Sequence, residues 1–341
     1  MSEFTLNKRF EKALKGGPTD LIPVCSVTQT GTVELMEMTG AYWPQANYDA
    51  LKMADLALAG YKLAGFENVR CPFCTTVLAE TLGCTVAEGS IDIQPYVTDF
   101  PCKKKKDVKD ITIPGSLLES RRTSVVLDAV GILKERVGED VPVVAGLVGP
   151  AGLASMLAGM KNYLMWFVTN PELVEELMGV LTEACIEYAK GLLERGADAV
   201  TLIDSEAGPD IIAPQMFETS VLPLYRKFCR EVPGLKILHM CGDATFVLDP
   251  LADAGFEGIS IEEKVGVSFA KGIVGSRVCL IGNVSPSDTL LAKGPEEVII
   301  EARACLEDGI DILAPGCGLA PHTPLENIKA LFRARDEFYS L

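Results

Sequence analysis

Short apolar runs rich in valine and isoleucine recur along this chain, separated by longer stretches in which apolar residues return every three or four positions. The first pattern is that of buried strands and the second that of amphipathic helices. Eight runs fit the strand pattern: LIPVCSV (21–27), FENVRCP (66–72), VPVVAGLVGP (141–150), ADAVTLID (197–204), LKILHMC (235–241), FEGISIEE (256–263), RVCLIGNV (277–284) and GIDILAPG (309–316). Between them lie segments such as NPELVEELMGVLTEACIEYAKGLLERG (170–196) and GPEEVIIEARACLEDG (294–309), each closing on glycine as helix C-termini do. Eight strands alternating with helices predict an α/β fold of the (β/α)8, or TIM-barrel, class. The rival architecture, an open doubly wound sheet, is disfavoured by the number of units and by the lack of a Gly-x-Gly-x-x-Gly turn after the first run.

Two stretches break the alternation. Residues 1–20 read as a helical extension that ends at Gly16 and Gly17, ahead of the first strand. Residues 85–114 alternate with a period of two in their first part and show no helical face, which predicts a hairpin inserted after the second strand. No repeat or linker interrupts the chain, so residues 1–341 are expected to form a single barrel domain.

Composition narrows the function. With 341 residues, 48% of them hydrophobic, the chain can bury a large core. It has no apolar run long enough for a membrane span, and its first residues are charged, so a cytoplasmic location is expected. Eleven cysteines, an odd number without a secretion signal, read as thiols rather than a disulfide framework. A net charge of −16 argues against nucleic acid and anionic membranes as partners. The one basic run, CKKKKDVKD from Cys102, is interleaved with aspartate and reads as a solvated loop.

In a barrel of this class the site is built at the C-terminal ends of the strands. Here those ends carry Thr28 and Gln29; Arg70, Cys71 and Cys74; Asp204, Ser205 and Glu206; His239 and Cys241; Glu262 and Glu263; Asn283; and Cys317. In a strand, residues i and i+2 share a face, so His239 and Cys241 point the same way. Cys317, between glycines in PGCG, is expected to turn back toward the barrel axis. Two thiolates and one imidazole with a fourth position open is the pattern of catalytic zinc, and soft sulfur favours zinc over magnesium or manganese. Spacing alone leaves a plain alternative open, a buried histidine and two core thiols. The CPFC pair, Cys71 and Cys74, has no second pair to complete a four-cysteine site, and His322 reads as a surface residue.

Several stretches together resemble a known family. PVCSVTQTG, GFENVRCPF, GLVGPAGLAS, DSEAGPDIIAP, LHMCGDATFVLDPLADAGFEGISIEEKV, GNVSPSDTLLAKG and LAPGCGLAPHTPLENIKAL resemble the uroporphyrinogen decarboxylase superfamily. Within it they are most similar to the zinc-dependent methylcobamide:coenzyme M methyltransferases of methanogenic archaea, and nearest to their methanol-specific branch. The resemblance implies zinc held by His239, Cys241 and Cys317. It also implies methyl transfer from a corrinoid protein to the thiol of coenzyme M, in methanogenesis from methanol, with a methylamine route as the alternative. A decarboxylase on the same barrel is the weaker reading. The decarboxylases carry arginines in the first loop and an aspartate after the second strand, where this chain has Thr28, Thr32 and Cys74.

For that reaction zinc is expected to hold the substrate thiol as its thiolate, the nucleophilic form. Glu262 or Glu263 is expected to fill the fourth position until displaced, or to accept the thiol proton. Arg70 is the expected cation for the sulfonate, with Gln29, Ser205 and Asn283 as neutral donors.

Overall fold

The computed structural model describes residues 4–340. Its main sheet has seven parallel strands: β1 (Val69–Cys71), β4 (Val143–Val148), β5 (Ala199–Ile203), β6 (Leu235–Met240), β7 (Gly258–Ile261), β8 (Cys279–Val284) and β9 (Ile312–Pro315), in that order across the sheet. Spatial order follows chain order because each parallel step needs a crossover, and helices supply it. The longest is Pro171–Glu194, which begins with Pro171 in its first turn and carries Leu177, Leu181, Ile186 and Leu192 on its buried face.

The eighth stave differs from expectation. Residues 21–27 form no full strand, and only Val24 makes a bridge, to Leu313 of β9. Pro23 has no N–H to give, and on the other side a side chain replaces the ladder. The Asn68 amide oxygen accepts from Ser26 N (2.9 Å), and its Nδ2 donates to Ser26 O (2.8 Å). Backbone bonds still reach both neighbours: Cys25 N donates to Leu313 O (3.0 Å) and Glu67 N to Val24 O (2.9 Å). The segment therefore stands between β9 and β1 and closes the ring.

Inside the ring, Val27, Val144, Ala199, Ile237, Ile281 and Ile312 pack as one layer. The helix Leu6–Leu14, the expected N-terminal extension, covers the end of this layer with Phe10 and Leu14. It is anchored by a buried ionic cluster. Arg9 Nη1 lies 3.1 Å and Arg335 Nη1 3.0 Å from the same Glu67 oxygen, and Asp20 takes the other face of Arg9 at 2.8 Å. The second Glu67 oxygen accepts from Val24 N (3.2 Å), which ties the cluster to the closing segment.

The insertion is a hairpin only in its first half. β2 (Thr85–Ala87) and β3 (Tyr96–Asp99) pair antiparallel, with Val86 opposite Val97. The lysine run beyond them winds into the 3-10 helix Lys105–Asp110, where Asp107 accepts from Lys104 N (2.7 Å). A helix, Val77–Thr81, also stands between β1 and the hairpin. Among the described residues no helix is long and apolar enough to cross a membrane.

The ionic cluster gives a direct test. Replacing Glu67 with alanine leaves two buried guanidinium groups facing each other, and removing one partner of such a set costs about 3 kcal/mol or more. Urea unfolding of Glu67→Ala is expected to show an unfolding free energy lowered by that amount, read as a lower midpoint with an unchanged slope.

Candidate metal centre

The register of three strands sets the site. Across the sheet His239 of β6 stands opposite Ile203 of β5 on one side and Ser260 of β7 on the other. That neighbour catches the ring: His239 Nδ1 lies 3.0 Å from Ser260 Oγ, and Ser260 is fully buried. In the tautomer whose Nδ1 donates there, Nε2 keeps its lone pair toward the cluster, as a metal-binding imidazole requires. Cys241 stands just past the strand, before Gly242, whose φ of 80° turns the chain away; Asp210 leaves no room for a Cβ there.

Cys317 arrives from the loop after β9. The glycines beside it matter for closeness, since neither has a positive φ. A Cβ on Gly318 would sit 2.9 Å from Gln29 Cγ, and one on Gly316 would meet Glu263 Oε2 at 3.1 Å. His239 Nε2 lies 3.2 Å from Cys241 Sγ, and Cys241 Sγ lies 3.5 Å from Cys317 Sγ. All three potential ligand atoms fall within 4.8 Å of one another, the one cluster of this kind among the described residues.

The two sulfurs are electrostatically unequal. The hydrogen bond to Cys317, reinforced by burial, holds the Cys241 thiol well above its ordinary value. Accepting that bond draws Cys317 below its own, although burial and the nearby Glu262 carboxylate oppose this. Two soft sulfurs and a pre-oriented imidazole fit zinc, whose preferred geometry needs no further protein donor in a catalytic site.

A cavity of about 270 Å³ opens at the cluster, and its walls include Arg70, Phe73, Cys74 and Gln94. Gln94 comes from the hairpin loop, which thereby reaches the barrel mouth; the periodicity gave no sign of this contact. The Arg70 guanidinium is buried, and Nη1 donates to Pro72 O while Nε has no partner. It forms no ion pair with Asp204 or Glu206, and burial lowers its pKa to about 10. Gly146 on the adjacent strand makes room for it, since a Cβ there would overlap Nη2.

Asp204 has other partners. It accepts from Ala151 N (3.2 Å) and Gly152 N (2.6 Å) at the start of the helix Pro150–Ala158, and from Tyr225 Oη (2.9 Å). Burial pushes its carboxyl up to about 7 against those bonds. Glu206 is likewise raised by burial.

The remaining expected residues are turned to different tasks. Gln29 accepts from Gly31 N (2.6 Å) and donates to Leu319 O, so its amide holds the loop that carries Cys317. Ser205 donates to Cys241 Sγ at 2.9 Å. Both amide hydrogens of Asn283 go to carbonyls, Glu262 O (3.0 Å) and Val265 O (2.7 Å), so Asn283 shapes the turn after β7 and does not line the cavity. Glu262 accepts from Gly242 N (2.8 Å) and lies against Cys317; Glu263 accepts from Ser285 Oγ (3.1 Å). Of the CPFC pair, Cys71 is fully buried and Cys74 faces the cavity, where it accepts from Arg122 Nη2 (3.0 Å). His322 is exposed, 3.5 Å from Asp92 of the hairpin loop.

A parallel α/β barrel with a three-donor cluster at the C-terminal ends of its strands is the framework of an enzyme, with donors of a kind that could hold a metal ion. The family model for uroporphyrinogen decarboxylase (URO-D) matches residues 5–338, and the chain belongs to that family, among its methylcobamide:CoM methyltransferases. It is 46% identical over 341 residues to the methylcobamide:CoM methyltransferase MtaA of Methanosarcina barkeri, covering all of both chains. To the methylcobamide:CoM methyltransferase MtbA of Methanosarcina acetivorans it is 35% identical, covering 97% of each. A solved methyltransferase structure from Methanosarcina mazei superposes with a TM-score of 0.96 at 46% identity, over 99% of this chain and 100% of that one.

Gln29→Ala would remove the side-chain bonds to Gly31 N and to Leu319 O and leave Leu319 O, in a buried place, without that partner. The expected cost is about 1–3 kcal/mol, measured as a lower unfolding midpoint. The same variant is expected to show increased proteolytic cutting around residues 316–323.

Proposed function

We propose that this protein, a methyltransferase of that family, transfers a methyl group from a methylated corrinoid on a partner protein to the thiol of coenzyme M, 2-mercaptoethanesulfonate. One observation carries the reading. Two soft sulfurs and an imidazole within 4.8 Å of each other share a cavity with a buried guanidinium that has no acidic partner. Thiol at one end and sulfonate at the other is the chemistry that pair of features matches.

In this reading His239, Cys241 and Cys317 hold zinc, which when bound supplies the positive charge that keeps an alkyl thiol deprotonated at neutral pH. Arg70 receives the sulfonate. The other buried guanidinium near the cavity, Arg122, lies 2.9 Å from Glu80 Oε2, so Arg70 alone offers an uncompensated charge, suited to a monoanion. Glu262 accepts the thiol proton at its carboxylate, since it lies against Cys317 while Glu263 is turned to Ser285. Ser260 keeps the imidazole oriented. Gln29 and Asn283 serve as supports for the two loops, in place of the sulfonate-binding role expected for them.

A corrin ring is far larger than a cavity of about 270 Å³, so the corrinoid stays on its own protein and presents only its methyl face at the mouth. Methanol is proposed as the source of that methyl group on the similarity of the sequence to the methanol-specific branch; methylamine is the alternative, and either is activated on another protein. A reducing cytoplasm suits a chain whose eleven cysteines are all free.

Metal analysis tests the donor set. About one zinc per chain is expected, and Cys317→Ala should lose it or bind it much more weakly; metal-free protein that turned over methylcobalamin and coenzyme M would sink the reading. Arg70→Met tests the sulfonate. Its KM for coenzyme M is expected to rise roughly 10- to 100-fold, the value of one charge-assisted contact, with a smaller change in kcat. An unchanged KM would place the sulfonate elsewhere.

A further inference from the structure

We infer that Ser205 is a positioning residue that sets the electron density on Cys241, making the two sulfurs of the cluster unequal donors. The inference rests on the proposed metal site. Its basis is the set of contacts around one atom.

Cys241 Sγ has three polar neighbours: Ser205 Oγ at 2.9 Å, His239 Nε2 at 3.2 Å and Cys317 Sγ at 3.5 Å. Two of them are fellow members of the cluster. An ion held by the three residues would engage both of them together with Cys241, whereas Ser205 would not be among its ligands. The Ser205 hydroxyl is different in kind, because a neutral alcohol is a poor zinc ligand beside thiolate and imidazole. It remains a hydrogen-bond donor, and Cys241 remains its acceptor.

Cys317 has no such hydroxyl. Its sulfur accepts from the Gly318 amide and faces the Glu262 carboxylate, whose charge works against the thiolate. Each sulfur thus accepts one hydrogen bond, Cys241 from an O–H and Cys317 from a backbone N–H, but Cys317 alone is also pressed by an anion, so the Ser205 hydroxyl weighs in the balance between them. Hydrogen bonds to ligating sulfurs tune what a metal centre can do.

Ser205 is also held with little freedom. Ile203, the last residue of β5, is in register with His239, and Asp204 N donates to His239 O (3.0 Å). The Asp204 side chain is fixed by the three donors already described. Ser205 then opens the 3-10 turn Ser205–Ala207, whose bonds, Ala207 N to Asp204 O (3.2 Å) and Gly208 N to Ser205 O (3.1 Å), use only the backbone. The hydroxyl is therefore free of any part in the turn, and alanine there removes the donor while sparing the fold.

The test uses the full chain loaded with Co(II) in place of zinc, whose sulfur-to-metal charge-transfer absorption reports electron density on the ligating sulfurs. Ser205→Ala is expected to bind the same amount of Co(II) as the parent and to shift this band to longer wavelength. Ser205→Thr, which keeps a hydroxyl, is expected to restore the parent position. Methyl transfer from free methylcobalamin should change in the alanine variant and recover with threonine. An alanine variant that binds Co(II) with the parent band unmoved overturns the inference and leaves the metal site standing. A parent protein with no sulfur-to-cobalt band overturns the proposed site, and the inference with it.

Discussion

The closing of the ring is the constraint on which the mouth depends. Arg70 stands at the end of β1 and Cys317 in the loop after β9, the two edges of the seven-stranded sheet. Left open, those edges would diverge with the twist of the sheet. Residues 21–27 bring them together with few backbone bonds, supplemented by the Asn68 side chain on one flank and the Glu67 carboxylate beneath. The next residues of the same segment complete the arrangement, because Gln29 holds the Cys317 loop from inside the ring. Ring closure, the buried ionic cluster and the position of one sulfur are consecutive steps along a single stretch of chain.

Charge is the second constraint. Two thiolates in a largely buried place are costly unless something positive or hydrogen-bonding meets them. An ion supplies most of that in the proposed holo state, and the surrounding donors, Ser205 and the Gly318 amide, supply the rest to the sulfurs, while Ser260 holds the imidazole by its Nδ1. Arg70 poses the opposite problem, a cation lowered toward 10 by burial with no carboxylate to steady it. A buried cation left without a counter-charge by the protein is most simply understood as kept for a ligand, as perturbed groups in clefts often are.

Much of this could be read from the sequence, and the limits of the reading have physical causes. Strands β4 to β9 announced themselves because parallel strands buried on both faces are continuous apolar runs. His239, Cys241 and Cys317 were legible because so few residue types bind soft metals and because barrel strands deliver their ends to one place. The first stave misled, since LIPVCSV has strand composition but Pro23 cannot take part in a full ladder. Gln29, Ser205 and Asn283 were expected as donors at the mouth; Gln29 and Ser205 line the cavity, Asn283 does not, and the directions of all three side chains were hidden. A polar side chain at a strand end can face the cavity, a neighbouring loop or a ligating sulfur, and only register and loop path decide which. Ser260 shows the same limit from the other side. Its pairing with His239 depends on the offset between β6 and β7, which no single strand encodes.

Within this family one barrel carries both decarboxylation and methyl transfer. The backbone that places a group after the second strand serves either chemistry, and what changes is the group. Where the decarboxylases are expected to carry an aspartate, this chain has Cys74, which accepts from Arg122 at 3.0 Å at the cavity wall. A fixed carboxylate there would give Arg70 a second anion to answer and cancel the charge proposed to bind a sulfonate. Cysteine is smaller and far less acidic in the free state, so it can accept the Arg122 hydrogen bond without bringing an obligatory negative charge. With threonines in place of the first-loop arginines, the mouth also loses its grip on a polycarboxylate. Among the buried guanidinium groups beside the cavity, Arg122 is paired with Glu80 and Arg70 has no acidic partner, a balance of charge that suits the small monoanionic thiol proposed as substrate.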